Sequence, residues 1–196
     1  MVRPAGRGDP GAWVDRAFAE SLRVKRAAWR RCRQPLLQAG ALLADCLRGG
    51  GKILLCGNGG SAADCQHFAG EMINYLSRDN PRGPLPAIAL TADSSVLTSV
   101  ANDSSFERVF ARQVEGLGRP GDVLIGISTS GGSRNVVQAV RAARRMGMRV
   151  VVLTGSGGNL ASMADCALQV PSTNTQRIQE THLLLEHLLC KIAESY

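Results

Sequence analysis

The chain has 196 residues, 44% apolar and 20% charged, which suits one folded domain with a substantial core and excludes a disordered chain. Its net charge of +7 is concentrated at the start: residues 1–34 hold nine Lys or Arg against three acids, a net +6, leaving +1 for the other 162 residues. A nearly neutral main body gives no footprint for nucleic acid, and no apolar run approaches the ~20 residues of a membrane span.

Residues 1–10, rich in Gly, Pro and Arg, read as a flexible tail. They lack the apolar segment of a signal peptide, so a cytoplasmic protein with no membrane partner is expected. The rest, 11–196, reads as a single domain that includes N-terminal helices over 11–48. The spacing predicts a helix from Gly11 to Arg33 with Val14, Phe18, Leu22 and Trp29 on one stripe. Pro35 is expected to interrupt it, and a second helix covers Leu36 to Leu47 before Gly49-Gly50-Gly51. Both helices precede the first strand, so neither is a crossover within a βαβ unit. A partner subunit is expected to cover their apolar stripes. Six cysteines (32, 46, 56, 65, 166, 190) form no C-x-x-C pair, and burial as free thiols is expected of them.

Ile53 to Cys56 reads as a buried strand, Gly57-Asn58-Gly59-Gly60 as a tight turn, and Ser61 as the N-cap of a helix. A helix N-terminus at a glycine turn presents free N–H groups and a positive dipole end, which suits an anion. His67 and Glu71 lie four residues apart on one face of that helix, a spacing for acid–base work or metal binding. Glycine turns and such pairs are each common without a site; their juxtaposition on one helix carries the reading.

Further along, Ala87 to Leu90 reads as a second strand, and Asp93-Ser94-Ser95 as a helix cap. Asn102-Asp103 breaks the pattern before a helix from Phe106 to Leu117. Val123 to Ile127 is a third strand, and Ser128-Thr129-Ser130-Gly131-Gly132-Ser133 opens a helix from Asn135 to Met146. Four hydroxyls interleaved with glycines at a helix N-terminus make a cup for one phosphate. No G-x-x-x-x-G-K-[ST] occurs, and the G-x-G-x-x-G strings at 6–11 and 116–121 do not link a strand to a helix as dinucleotide folds require, which favours a sugar monophosphate over a nucleotide. Arg149 to Leu153 and Cys166 to Val170 are the last strands, and a final helix runs from Gln176 to Glu194. Strands alternating with helices predict a parallel sheet covered on both faces, with ligands at the carboxyl ends of the strands. On the last helix His182 and His187 lie ~140° apart, so one face cannot present both, and spacing does not choose between them.

CGNGGSAADCQHFAGE, ISTSGGS, LTGSGG and RIQETHLLLEH occur in the order and spacing of one known family. From about residue 36 onward the chain resembles the phosphoheptose isomerases, of the sugar isomerase (SIS) domain class. The resemblance implies an α/β fold, a five-stranded parallel sheet in a flavodoxin-like three-layer sandwich. It also implies a cytoplasmic homotetramer that converts D-sedoheptulose 7-phosphate to D-glycero-D-manno-heptose 7-phosphate through an enediol, for bacterial heptose and surface polysaccharide. By resemblance Ser61, Ser128, Thr129, Ser130 and Ser133 hold the phosphate, and Asn58, Gly59, Gly60, Asn102 and Asp103 contact substrate. Glu71 and His187 match the acid–base pair, and Asp103 and Gln179 orient hydroxyls. His67, Glu71, Gln179 and His187 match ligands for one Zn²⁺ per subunit.

Two positions depart from the pattern: Gly132 stands where many members carry Asn, and Gln176 where some carry Asp. A non-catalytic look-alike is the DnaA initiator-associating protein, a SIS tetramer that binds a replication initiator. Met72-Ile73-Asn74 and the basic start lean towards it. That protein lacks the carboxylate and imidazole matching Glu71 and His187, so the isomerase is preferred. Eight helical residues set Gln179 and His187 ~12 Å apart along the axis, and a site completed across a subunit interface, with Glu71 and His187 from different chains, is expected to relieve that strain.

Overall fold

The computed structural model describes residues 9–195. Most of the expected tail, residues 1–8, lies outside them. Asp9 and Pro10 do not belong to it: Asp9 caps a helix by accepting from the Gly11 and Ala12 amides at 2.9 and 3.3 Å, and Pro10 takes the first helical position, where its missing N–H costs nothing.

That helix, α1, runs unbroken over Pro10–Arg48 with Pro35 inside it, in place of the two helices expected. The reason is tertiary. Val24, Ala28, Cys32, Leu36, Ala39 and Leu43 form one continuous stripe, all nearly fully buried, packed against the last strand and last helix of the same chain. The chain is also tied down on both sides of the proline, where the Cys32 thiol donates to the Gln169 carbonyl and the Cys166 thiol to the Pro35 carbonyl. Burial of this stripe outweighs the ~3 kcal/mol cost of an interior proline. The stripe read from the sequence, which a partner subunit is expected to cover, is a different one: Val14, Phe18, Leu22 and Trp29 are all exposed on the single chain, Phe18 at 68%.

Five strands follow: β1 Ile53–Cys56, β2 Ala87–Ala89, β3 Val123–Ser128, β4 Arg149–Thr154 and β5 Cys166–Gln169. All pairs are parallel, in the order β2-β1-β3-β4-β5. The connecting helices are α2 Gly60–Ile73, α3 Ser94–Asp103, α4 Val109–Leu117, α5 Arg134–Arg145 and α6 Thr175–Glu194. Strand side chains alternate between two cores. Ile53, Leu55, Ile125, Ile127 and Leu153 face α1, α2 and α6, while Leu54, Cys56, Leu124, Val150 and Val152 face α4 and α5. A strand buried on both sides reads as a continuous apolar run. The result is a three-layer sandwich, as expected from the sequence. All six cysteines are buried and free, and burial pushes the Cys56 thiol up to about 12. Chain order reverses between β1 and β3, and their carboxyl ends, Cys56 beside Gly126, open the crevice where such sheets bind ligands.

Candidate active site

Two turns leave this crevice, one from each central strand. The β1 turn leads into α2 through Gly59, whose φ of 57° and ψ of −121° belong to glycine alone. Gly59, not Ser61, is therefore the N-cap. Ser61 sits inside the first helical turn and is 3% exposed. No side chain caps this end of α2. A Cβ on Gly60 would come within 2.2 Å of the Gln179 amide nitrogen, so glycine there lets α6 lay Gln179 over the start of α2.

The β3 turn folds its serines inward. The Ser128 hydroxyl lies 2.9 Å from that of Ser133 and 3.4 Å from that of Ser130, and the Gly132 amide donates to Ser130 at 3.3 Å. Ser133 is the N-cap residue of α5, yet its side chain does not cap the helix, because its hydroxyl joins this cluster. Gly131, at φ 66°, presses so closely on Gly157 that a Cβ would lie 2.2 Å from its carbonyl, which braces the turn. Three hydroxyls facing one another at a helix N-terminus form a cup that an oxyanion can enter by accepting from each. Thr129 holds the turn through its carbonyl, which accepts from the Gly155 amide at 3.1 Å.

The two turns are joined by a reciprocal amide pair. Asn58 donates to Asn135 at 2.9 Å and accepts from it at 2.8 Å, and Asn135 is 4% exposed. The Asn58 side chain, expected to contact substrate, thus also fixes the β1 turn to α5. Sequence reasoning missed Asn135; no local pattern marks a partner 77 residues away.

Two turns along α2, His67 and Glu71 meet His187 of α6. The His67 and His187 Nε2 atoms are 2.8 Å apart, one donating and one accepting, their rings edge to face. A Glu71 carboxylate oxygen is 3.7 Å from His67 Nε2. One ligand atom from each of the three lies within 4.8 Å of the others. All three belong to one chain, so the expected division of Glu71 and His187 between subunits does not hold. Two imidazoles and a carboxylate suit Zn²⁺; at Zn–N distances of 2.0–2.1 Å two tetrahedral ligands stand about 3.3 Å apart, a small opening of the histidine pair. Gln179, beside Gly60, lies about 10 Å up the α2 axis from His67, outside this triad.

The structure separates the histidines that helical spacing left open. His182 is fully buried, its Nε2 3.2 Å from the Thr154 carbonyl oxygen, and burial drives its pKa down to about 4, against a smaller upward pull from that contact. It is a neutral core residue. Glu186, 1% exposed, is pushed up to about 8 by burial and then by the Asp64 charge. Asn102 and Asp103 close α3, exposed, with Asn102 donating to Asp103 at 2.8 Å. No hydrogen bond among the described residues joins them to the cup or the triad.

Comparison with known proteins decides the family. Residues 18–155 match the model of the SIS domain. A phosphoheptose isomerase of Neisseria gonorrhoeae is 51% identical over 182 residues, 91% of each chain, and one of a Roseiflexus species is 51% identical over 183 residues, 93% of this chain and 92% of that one. The chain belongs to the phosphoheptose isomerase family of SIS-domain proteins. The solved Neisseria gonorrhoeae phosphoheptose isomerase superposes with a TM-score of 0.90 at 48% identity, over 96% of this chain and 100% of that one. The Francisella tularensis phosphoheptose isomerase gives 0.92 at 39% over the same shares. Membership extends the fold match through β5 and α6, beyond the SIS model's last matched residue, to the helix that carries His187.

Proposed function

We propose that this chain interconverts D-sedoheptulose 7-phosphate and D-glycero-D-manno-heptose 7-phosphate, an aldose–ketose isomerisation that supplies heptose for bacterial surface polysaccharide. The observation that carries the reading is the meeting of Glu71 and His187 on two helices, with α2 leaving the same sheet edge as the serine cup after β3. The scale agrees. His67 lies about 9 Å along the axis from Ser61, and an extended seven-carbon chain spans roughly 7 Å at ~1.2 Å per bond, before the phosphate is added.

A C–H beside a carbonyl is too weak an acid for water at neutral pH, so a held base and a stabilised oxygen are both required. Phosphate in the cup of Ser128, Ser130 and Ser133, with Thr129 and Ser61 alongside, fixes the far end of the sugar. Glu71 and His187 then move the proton between C1 and C2 through an enediol. Gln179, held against Gly60, and Asp103 orient hydroxyls. His67, Glu71 and His187 are the ligands proposed for one Zn²⁺ per subunit, which when bound supplies Lewis acidity to an oxygen of the substrate.

The assembly belongs to the same proposal. A homotetramer in the cytoplasm is part of it, and the exposed Val14, Phe18, Leu22 and Trp29 on α1 support the assembly as an apolar face that subunit contact would cover. No helix among the described residues is long and apolar enough to cross a membrane. The named relatives favour the isomerase over the initiator-binding alternative. The test is turnover of sedoheptulose 7-phosphate by the purified chain, followed by NMR. Appearance of the aldose is expected; substrate that binds and stays unchanged would overturn the reading.

A further inference from the structure

We propose that Arg82 is a positioning residue for this reaction, clamping the end of α2, which carries Glu71, to the end of α6, which carries His187. The inference rests on the isomerase reading above. Every helix ends with carbonyls that lack intrahelical partners, and α2 has no basic residue in its last turn. Arg82 supplies the missing cation from the loop beyond. Its Nη2 donates to the carbonyl of Glu71 itself at 2.9 Å. Its Nη1 donates to the carbonyls of Met72, Asn74 and Gly83 at 2.8, 3.2 and 3.0 Å.

The other side of the same guanidinium grips α6. Nε and Nη2 lie 3.0 and 2.7 Å from one oxygen of Glu194, a carboxylate only 1% exposed that also accepts from the Leu76 amide. Glu194 stands seven residues after His187, two turns further on the same face of α6. The helices therefore run side by side, packed through a shared apolar core and joined by polar side chains at three levels: Gln179 on Gly60, His187 on His67, and Glu194 on α2 through Arg82. The first two lie in the site. The third sets how far one helix can slide along the other, and hence the spacing of Glu71 and His187. Arg82 touches neither the cup nor a side chain of the triad, so it acts through the Glu71 backbone. Lysine cannot replace it, because a single ammonium lacks the planar fork that serves two helices at once.

Removing Arg82 alone would strand a buried carboxylate, so two variants are needed. Arg82→Lys keeps the charge opposite Glu194 and abandons most of the α2 carbonyls. The double variant Arg82→Met/Glu194→Leu replaces the pair with apolar groups that can stay buried. Both are assayed with sedoheptulose 7-phosphate for kcat and KM, alongside Tm. For each, kcat per folded subunit is expected to fall by about tenfold or more, as misplacement of reacting groups by a fraction of an ångström does, with KM within about twofold of the parent, since the cup is untouched. A bridge that only stabilises would lower Tm and leave kcat per folded subunit unchanged; that result in Arg82→Lys overturns the clamp even if the double variant does not fold. A parent chain that never turns over the substrate overturns the isomerase reading instead, and the clamp with it.

Discussion

At the scale of single residues, the chemistry falls to side chains whose neighbours make different demands of them. Glu71 is placed to abstract a proton, so Glu71→Gln is expected to lower kcat by at least ~10²-fold, the usual worth of a held base, while calorimetry still detects substrate binding. Ser128 serves the other end of the substrate. Ser128→Ala is expected to raise Kd for the sugar phosphate by about 10- to 100-fold, one hydrogen bond to a charged group at ~1.5–3 kcal/mol, with a smaller loss in kcat. His182 answers a separate question. The folded chain refuses it a proton down to about pH 4, whereas the unfolded chain takes one near 6.5. Its contribution to stability is therefore complete above pH 6.5 and is lost as pH falls towards 4, by at most about 3 kcal/mol. Urea titrations at pH 7 and pH 4.5 should show wild type losing more stability than His182→Gln across that interval.

His67 and Glu71 were legible in the sequence because one helix fixes their spacing and the glycine turn fixes where the helix begins. His187 was not, because a helical wheel gives angles within α6 and says nothing of which side faces α2. The Asn58–Asn135 pair and the Arg82 fork were illegible for the same reason, being contacts that exist only once distant segments are packed.

At the scale of elements, the apolar runs predicted the five strands to within a residue or two. Strands β1, β3 and β4 are buried on both faces and have no polar alternation to confuse their limits, while β2 and β5 at the sheet edges are only partly covered. The serine turn was equally plain, because its glycines and hydroxyls are local chemistry. The first helix was misread at Pro35, where a local rule met a tertiary exception. A proline there forfeits one backbone hydrogen bond, and the stripe from Val24 to Leu43 compensates through burial that no local window reveals. Pro35→Ala restores the lost donor. It is expected to stabilise the protein by about 1–2 kcal/mol, read as a shift in urea midpoint without a change in slope. A fall in the midpoint would mean that the proline shapes α1 to fit β5.

At the scale of the whole molecule, α1 presents two apolar faces with different fates. One packs on its own α6 and β5; the other, with Phe18 and Trp29, is open. Phe18→Glu with Trp29→Glu is expected to break the proposed tetramer into smaller species in sedimentation, whereas an unchanged sedimentation coefficient would place the subunit contacts elsewhere. Because Glu71 and His187 meet within one chain, mixing inactive Glu71→Gln and His187→Asn chains is expected to restore nothing, even in verified hetero-oligomers. Recovered activity would show that the working pair is drawn from two subunits.

The most direct measurement is proton exchange at the reacting carbon. With sedoheptulose 7-phosphate in deuterated water, Glu71 takes the C1 proton, that proton exchanges with solvent on the carboxyl, and return to the enediol places deuterium on C2 of the aldose. That label is expected with wild type and lost in Glu71→Gln, although the variant still binds substrate. Product and label that persist undiminished in Glu71→Gln would contradict the assignment of Glu71 as the base of an enediol isomerase.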